Sequence, residues 1–305
     1  MRRLLLHLNR LLAVAGLALA TGAAWPGDSI VVVLSEQKGP VAEFADALTG
    51  ALRRALPQAV VRTVAAADAE NLGDPRLVIA AGSAAQGAVL ARADRPPVIA
   101  VLTPRVSFDR QFARQGRVAA LYLDHPEERQ LALATLLPSQ PSSIAFVASQ
   151  ASGVSLQRLR HAAQRLDLRI NEYAVTAERD VARAIQEAAA QSEILLAHPD
   201  PAVFNPQTIQ SILLTTYRAR VPVLGFSPAY TRAGALLSLH SSPQQLAEQT
   251  AEMARQALAT GQLPTSQHPR EFEVSVNRQV ARSLGIEVPA ESVLVERLRQ
   301  RERAR

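Results

Sequence analysis

The sequence contains no cysteine, which excludes disulfides, thiol nucleophiles, thiolate metal sites and lipid attachment at a processed cysteine. Aromatic residues make up only 4% of the 305 residues, and no signature of a nucleic-acid-binding fold is present. There is also no P-loop and no dinucleotide-binding glycine pattern. We therefore expect neither a bound cofactor nor a nucleic-acid partner.

The amino end is basic and then apolar. It begins Met1-Arg2-Arg3 and runs apolar from Leu11 to Ala24 without an acidic residue. This order is typical of a secretory signal, and the run is shorter than the roughly 20 residues that span a membrane. We predict a signal peptide over residues 1–24, with an uncleaved anchor as the alternative. Export without a lipidated cysteine indicates a soluble protein of the periplasm, which we expect to be a monomer.

The carboxyl end is rich in arginine. A basic tail can mark nucleic-acid binding, but in an exported protein with few aromatic residues a solvated helix end is the simpler interpretation. The arginines concerned are Arg297, Arg299, Arg301, Arg303 and Arg305.

Short apolar runs rich in Val and Ile alternate with longer amphipathic stretches through the rest of the chain. The runs are too short for buried helices, and the alternation is typical of βαβ units around a parallel sheet. Two similar halves follow one another, so we predict an α/β fold of two doubly wound parallel-sheet lobes. Strands are predicted over 30–34, 60–64, 77–81, 98–102, 144–148, 168–175, 194–197 and 223–226, and helices over 41–56, 84–93, 156–166, 179–191, 206–220 and 243–260.

No flexible linker separates the halves, which indicates a hinge of crossing strands. The two candidate crossing strands are 118–123 and 235–240, after which the long helix returns to the first lobe. The predicted first lobe comprises residues 28–120 and 240–275. The predicted second lobe comprises residues 121–239 and 276–305.

Several segments near the carboxyl end, over roughly a fifth of the chain, resemble a known family. The resemblance is carried by Gly234-Ala235-Leu236-Leu237-Ser238-Leu239, by Thr260-Gly261-Gln262-Leu263-Pro264, by Val276-Asn277 and by Leu284-Gly285-Ile286-Glu287-Val288-Pro289. Their order and spacing are similar to those of ABC-transporter substrate-binding proteins related to tryptophan-binding proteins, which have a type I periplasmic-binding fold.

The resemblance implies a non-enzymatic protein that closes on a small molecule and delivers it to a membrane permease and its ATPase. The alternative is a periplasmic sensor or interaction protein with the same fold and no coupling to transport. This chain departs from relatives at two loops. It has Gly82-Ser83-Ala84-Ala85 where relatives have Gly-Thr-Pro-Ala, and Thr103-Pro104-Arg105 where they carry an Asp-Pro pair.

Ligands of doubly wound sheets lie beyond the carboxyl ends of the strands. The residues that follow the predicted strands are therefore the candidate ligand-binding residues. They are Ser35, Gln37, Gly82, Ser83 and Thr103 in the first lobe, and Ser149, Asp200, Phe226 and Ser227 in the second.

Ser83 and Asp200 suit the two ends of a zwitterion such as an amino acid. Ser83 begins a helix, whose free amide groups and dipole favour a carboxylate, although it could merely cap that helix. Asp200 could pair with an ammonium group, or it could be an ordinary turn residue before Pro201. Arg105 could bind a carboxylate in the same cleft, or lie on the surface.

Three other features of the sequence admit a functional interpretation. Phe226, with Tyr230 competing for the role, could form an apolar wall of the site or belong to the core. The segment Gly225-Phe226-Ser227-Pro228-Ala229 is similar to a hydrolase nucleophile elbow, but the proline removes the amide that an oxyanion hole needs. The histidines left after processing are scattered, so we expect no metal site. They are His125, His161, His198, His240 and His268.

Overall fold

The computed structural model describes residues 29–93, 95–112 and 116–304, and the predicted signal peptide lies outside the described residues. Within these ranges the chain forms two sheets, one of five strands and one of six. No helix in this part of the chain is long and apolar enough to cross a membrane.

The first sheet is entirely parallel, in the order β2-β1-β3-β4-β5. Its strands are β1 (Ser29–Leu34), β2 (Val60–Ala65), β3 (Leu77–Ala81), β4 (Val98–Thr103) and β5 (Val118–Tyr122). The helices of this lobe are α1 (Gly39–Ala55), α2 (Ser83–Leu90), α3 (Arg105–Gln111) and α9 (Pro243–Thr260).

The second sheet has the order β11-β10-β9-β8-β6-β7, and only β11 runs antiparallel to its neighbour. Its strands are β6 (Ser143–Ser149), β7 (Arg169–Val175), β8 (Ile194–Leu196), β9 (Val223–Gly225), β10 (Leu237–His240) and β11 (Glu273–Val276). Its helices are α4 (Glu127–Ala134), α5 (Gly153–Gln164), α6 (Val181–Gln191), α7 (Ile209–Arg218), α8 (Pro228–Ala233), α10 (Arg278–Leu284) and α11 (Glu291–Arg303).

Each sheet is buried on both faces, which is why its central strands are continuous apolar runs. Successive residues of β1 alternate between two cores: Ile30 packs with α1 and α9, and Val31 packs with α2 and α3. In the second sheet Ile144 packs with α4, α5 and α11, and Ala145 packs with α6 and α7. Two helical layers around one parallel sheet therefore make up each lobe.

The chain passes between the lobes three times, because the elements that follow β5, β10 and α9 pack on the other lobe. Crossing strands were predicted only for the first two passages, and the third was implied by the predicted lobe boundary at residues 275 and 276. The predicted crossing strands themselves are ordinary sheet strands, and each crossing begins where its strand ends. The third crossing reaches β11, and on its way Gln267 exchanges backbone hydrogen bonds with Ala120 and Tyr122 at the edge of the first sheet.

The lobe boundaries differ slightly from the predicted division. The last residues of β5, Leu121 and Tyr122, lie in the first sheet, and β11 lies in the second sheet although residues 273–275 were assigned to the first lobe. The sequence also missed α3, α4, α8 and α10, and it predicted α11 only as a helix end at the basic carboxyl terminus. The two that flank the cleft, α3 and α4, have only seven and eight residues, which is too short for a clear helical period.

Candidate functional site

The carboxyl ends of both sheets meet at the crossings and enclose two small cavities. The hinge cavity is lined by Leu123, Asp124, His125, Gln130, Leu133, Leu196, Leu224, Gly225, Phe226 and Leu239. The inner cavity is lined by Pro104, Val106, Asp124, Glu127, Gln130, Phe146, Leu159, His198 and Pro199. The volume open to a water-sized group is about 10 Å³ in the hinge cavity and about 30 Å³ in the inner cavity. A whole organic ligand would therefore enter only if the lobes separate.

An outer groove of about 460 Å³ leads toward the inner cavity and shares Glu127 with it. Its wall residues are Arg105, Pro126, Glu127, Glu128, Gln157, Arg158, His161 and His268. Charges of both signs line this groove. Arg158 Nε donates to Glu127 Oε1 at 2.6 Å, and Arg105 Nη1 lies 3.0 Å from Nε2 of His268, whose pKa is lowered by burial.

Asp124 is the acidic residue of the first-lobe wall. It follows β5 and lines both cavities. Its Oδ1 accepts the backbone N–H of Arg105 at 2.7 Å and so caps α3, whose N-cap residue, Pro104, has no capping side chain. Burial and, to a smaller extent, the charge of Glu127 raise the pKa of Asp124 to about 6, against the opposing effect of backbone N–H donors and Arg105. Asp124 therefore places an acid beside the loop Thr103-Pro104-Arg105.

His198 is the corresponding residue of the second-lobe wall. It follows β8, is 7% exposed, and stacks on Phe146 with ring centroids 4.2 Å apart. Its Nε2 lies 3.3 Å from Ser152 Oγ. Its Nδ1 is buried and has no hydrogen-bond partner among the described residues.

Asp200 lies behind His198 and is turned toward its own lobe. Its Oδ2 accepts from the N–H of Ser149 and the hydroxyl of Ser152, both at 2.8 Å, and its Oδ1 accepts from the N–H of Ala202 at 3.1 Å. Burial opposes ionisation, but the hydrogen bonds from His198, Ser149 and Ser152 prevail and hold the pKa of Asp200 below its ordinary value. The structure therefore gives Asp200 an intralobe role; the predicted contact with a ligand stays a prediction.

Ser83 is exposed at the first residue of α2, with Gly82 as the N-cap. The cap hydrogen bond comes from Ser35, whose Oγ accepts the N–H of Ala85 at 2.9 Å. Gly82 has φ +86° and lies so close to Ser35 that a Cβ would stand 2.6 Å from its Oγ. The capping role considered for Ser83 therefore belongs to Ser35, 50 residues before Ala85, and the side chain of Ser83 stays exposed to solvent.

The remaining predicted residues lie in different surroundings. Phe226 lines the hinge cavity and packs against Tyr230 with the two tilted rings 4.5 Å apart, and the predicted contact of Phe226 with a ligand stays a prediction. Thr103 is 1% exposed, and its buried Oγ1 has no partner in the described part of the chain. Ser227 is the N-cap of α8, where Pro228 lacks an amide hydrogen, and Gln37 is exposed.

A buried arginine joins the three crossings. Arg129 Nη1 lies 2.9 Å from His125 Nδ1 in the first crossing and donates to the carbonyl of Pro269 in the third at 2.8 Å. His125 Nε2 lies 3.5 Å from the hydroxyl of Ser241 in the second crossing. Burial, reinforced by the Arg129 charge, holds the pKa of His125 well below its ordinary value, so the imidazole stays neutral.

Sequence reasoning missed Asp124, Glu127 and Arg129 as site residues and considered His198 only as a possible metal ligand near Asp200. Asp124 carried a usable signal, because it directly follows the predicted strand 118–123. The interpretation of 118–123 as a crossing strand removed its following loop from the candidates. No group of three His, Asp or Glu side chains within the described ranges is arranged to hold a metal ion.

A model of the ABC transporter substrate binding protein family matches residues 62–300. No curated protein sequence matches the chain. Solved structures also match along most of the length of the chain, and three of them have a TM-score of 0.64. A conserved domain protein from Vibrio cholerae is 20% identical, with 88% of this chain and 98% of that one covered.

Two further structures match equally well. An ABC domain from Streptococcus pneumoniae, solved in complex with L-Trp, is 17% identical over 87% of this chain and 97% of its own. An open, ligand-free substrate binding protein with adhesive properties from Clostridium difficile is 14% identical over 86% and 96%. At these identities the likeness shows the fold, and the predicted two-lobe α/β fold of type I periplasmic-binding proteins is confirmed.

Proposed function

Because the chain belongs to the ABC transporter substrate-binding protein family, we propose that it captures a small molecule between its lobes for delivery to a permease and ATPase. The observation that carries this proposal is the inner cavity, which lies between Pro104 and Val106 of the first lobe and Phe146 and His198 of the second. The small volumes of the inner cavity and the hinge cavity indicate that the lobes open to admit the solute and close on it, with the three crossings as the hinge.

We propose an amino acid or similar small zwitterion as the solute. The L-Trp complex of the pneumococcal ABC domain supports an amino-acid ligand. On the first lobe, the start of α2 with Gly82 and the exposed Ser83 suits a carboxylate. On the second lobe, Phe226 offers an apolar contact in the hinge cavity. Gln37, Thr103, Ser149 and Ser227 remain proposed contacts of the opened cleft, as does Asp200.

A solute screen tests this function. Thermal unfolding of the mature protein would be measured with amino acids, amines, sugars and nucleobases, because a ligand that binds only the folded state raises its stability. Phe226→Ala should weaken the response to the ligand that is found. Leu214→Ala, which truncates an exposed side chain on α7 away from the cavities, should leave it unchanged. A screen in which no solute stabilises the protein would contradict the proposal.

Lobe closure has its own measurement. With saturating ligand the radius of gyration from solution scattering should fall, because closure brings the lobes together. An unchanged radius would argue for a rigid protein.

We also propose export to the periplasm through cleavage after Ala24. Amino-terminal sequencing of the periplasmic protein should then begin at or near Trp25. Recovery of the intact chain in the inner membrane would instead favour the uncleaved anchor.

The second candidate function is a binding-fold sensor or interaction protein. It is favoured by the departures at Gly82-Ser83-Ala84-Ala85 and Thr103-Pro104-Arg105, and the relative with adhesive properties shares this fold. Uptake of the identified solute by a deletion strain separates the two. Lost uptake would indicate transport, and unchanged uptake would favour the sensor.

A further inference from the structure

The inner cavity presents hydrogen-bond acceptors within apolar walls. Gln130 donates from Nε2 to the carbonyl of His125, which leaves its Oε1 as the acceptor end. Glu127 contributes a carboxylate whose Oε1 already accepts a hydrogen bond from Arg158. Asp124 contributes a carboxylate whose Oδ1 already accepts a hydrogen bond from the backbone N–H of Arg105. The apolar lining residues are Pro104, Val106, Phe146, Leu159 and Pro199.

His198 adds an oriented acceptor. The hydroxyl of Ser152 donates to Asp200 Oδ2 at 2.8 Å, so its oxygen must accept from His198 Nε2 at 3.3 Å. In neutral His198 the hydrogen therefore lies on Nε2, and the lone pair lies on Nδ1. That atom is buried in the cavity wall without a partner among the described residues, although a buried polar atom ordinarily has one.

The carboxylate of Asp124 also lacks an ion-pair partner among the described residues. No ion pair reaches it within the described ranges, and Arg105 bonds it only through its backbone N–H. The cost of burying this carboxylate appears as the rise of its pKa to about 6. A cation in the cavity would offset that cost and keep Asp124 ionised.

We propose that the inner cavity is an ammonium subsite, in which Asp124 supplies the counter-charge and His198 Nδ1 accepts an N–H of the ligand. About 30 Å³ fits a water-sized group such as a primary ammonium head, with the body of the ligand extending toward the hinge cavity or the outer groove. Asp200 and Ser152 position His198. The substrate class is a primary amine with an apolar body, for which a carboxylate is secondary. This inference rests on the proposed function.

Titration calorimetry at pH 7.5 with four probes that share a phenyl ring on a two-carbon chain tests the subsite. The probes are 2-phenylethylamine, L-phenylalanine, 2-phenylethanol and 3-phenylpropionate. The two amine-bearing probes should bind at least about tenfold more tightly than the other two, because charge-assisted hydrogen bonds are the stronger ones.

Two variants separate the contributions. Asp124→Asn keeps the α3 cap but removes the charge, and it should weaken 2-phenylethylamine about 10- to 100-fold. His198→Phe keeps the stacked ring but removes the acceptor, and it should weaken the amine about 3- to 10-fold. Asp167→Asn, the same change at an exposed residue with φ +53°, should leave binding unchanged. Circular dichroism would confirm that each variant is folded.

Equal affinity for 2-phenylethanol and 2-phenylethylamine would overturn the subsite, as would wild-type affinity in folded Asp124→Asn. If neither amine-bearing probe binds, the subsite is also overturned. In that case a different solute that stabilises the protein would leave the proposed function standing. A screen in which no solute at all binds would contradict both.

Discussion

Replacing Arg129 with methionine should destabilise the protein by about 2–4 kcal/mol, because this side chain joins the three crossings. Arg129 is 8% exposed, and its guanidinium bonds His125 and the carbonyl of Pro269. Methionine keeps an apolar chain against Phe272, whose ring lies 4.3 Å from the guanidinium carbon. The substitution therefore isolates the polar contacts.

The magnitude follows from those contacts. A hydrogen bond to a charged group contributes about 1.5–3 kcal/mol, and two such bonds are lost with their partners left buried. The bond to Glu302 adds little, because that side chain is 35% exposed and water replaces Arg129 there. Release of a buried cation offsets part of the loss, which leaves about 2–4 kcal/mol.

Urea unfolding with linear extrapolation measures the change. The control is Arg183→Met, which removes an exposed i,i+4 pair with Glu187 and should cost less than about 0.5 kcal/mol. An Arg129→Met loss as small as that of the control would refute the argument that the buried polar network stabilises the hinge.

Four further substitutions have defined outcomes. Asp124→Asn should stabilise the ligand-free protein by about 1–3 kcal/mol at pH 7.5, because the native pKa of about 6 exceeds the ordinary 3.8; the gain should vanish below pH 3.8. Asp200→Asn should destabilise it by about 1–3 kcal/mol at neutral pH. Since the pKa of Asp200 is lowered, that deficit should shrink as the pH falls below 3.8. Gly82→Ala should destabilise by about 1–3 kcal/mol, because φ is +86° and Ser35 obstructs the methyl group. Gly87→Ala in α2, where nothing lies within 4 Å, should instead stabilise by about 0.5–1 kcal/mol.

Urea unfolding measured across pH checks the two carboxylates, and the same assay at neutral pH checks the glycines. A destabilised Asp124→Asn protein would show that this carboxylate is favourably paired in the native state. Unchanged stability of Gly82→Ala would mean that the loop after β3 relaxes freely.

The repeated βαβ architecture was readable from the sequence because burial on both faces forces it into the residue pattern. A strand such as β1 must be apolar at every position, and a helix such as α1 must be apolar along one face. These are local periodicities, and they survive without knowledge of any partner. The two lobes followed from them, as did crossing strands for two of the three passages between the lobes.

The loop positions at the carboxyl ends of the strands were also readable, but the roles of their side chains were not. By sequence Asp200 and Asp124 are alike, since each follows a strand. The structure distinguishes them through donors from elsewhere in the chain. Ser149 and Ser152 take up the carboxylate of Asp200, and the backbone N–H of Arg105 binds only one oxygen of Asp124.

Capping of α2 makes the same distinction: the sequence offered Ser83 beside the helix, and the tertiary structure uses Ser35 from the end of β1. The hinge depends still more on the tertiary structure, because the side chain of Arg129 donates to the carbonyl of Pro269, 140 residues further along the chain. Periodicity reports only which side of an element is buried. Which polar groups meet there is decided by the packing of distant segments, because the hydrogen bonds available in a buried site come from whichever backbone and side-chain groups that packing brings within about 3 Å.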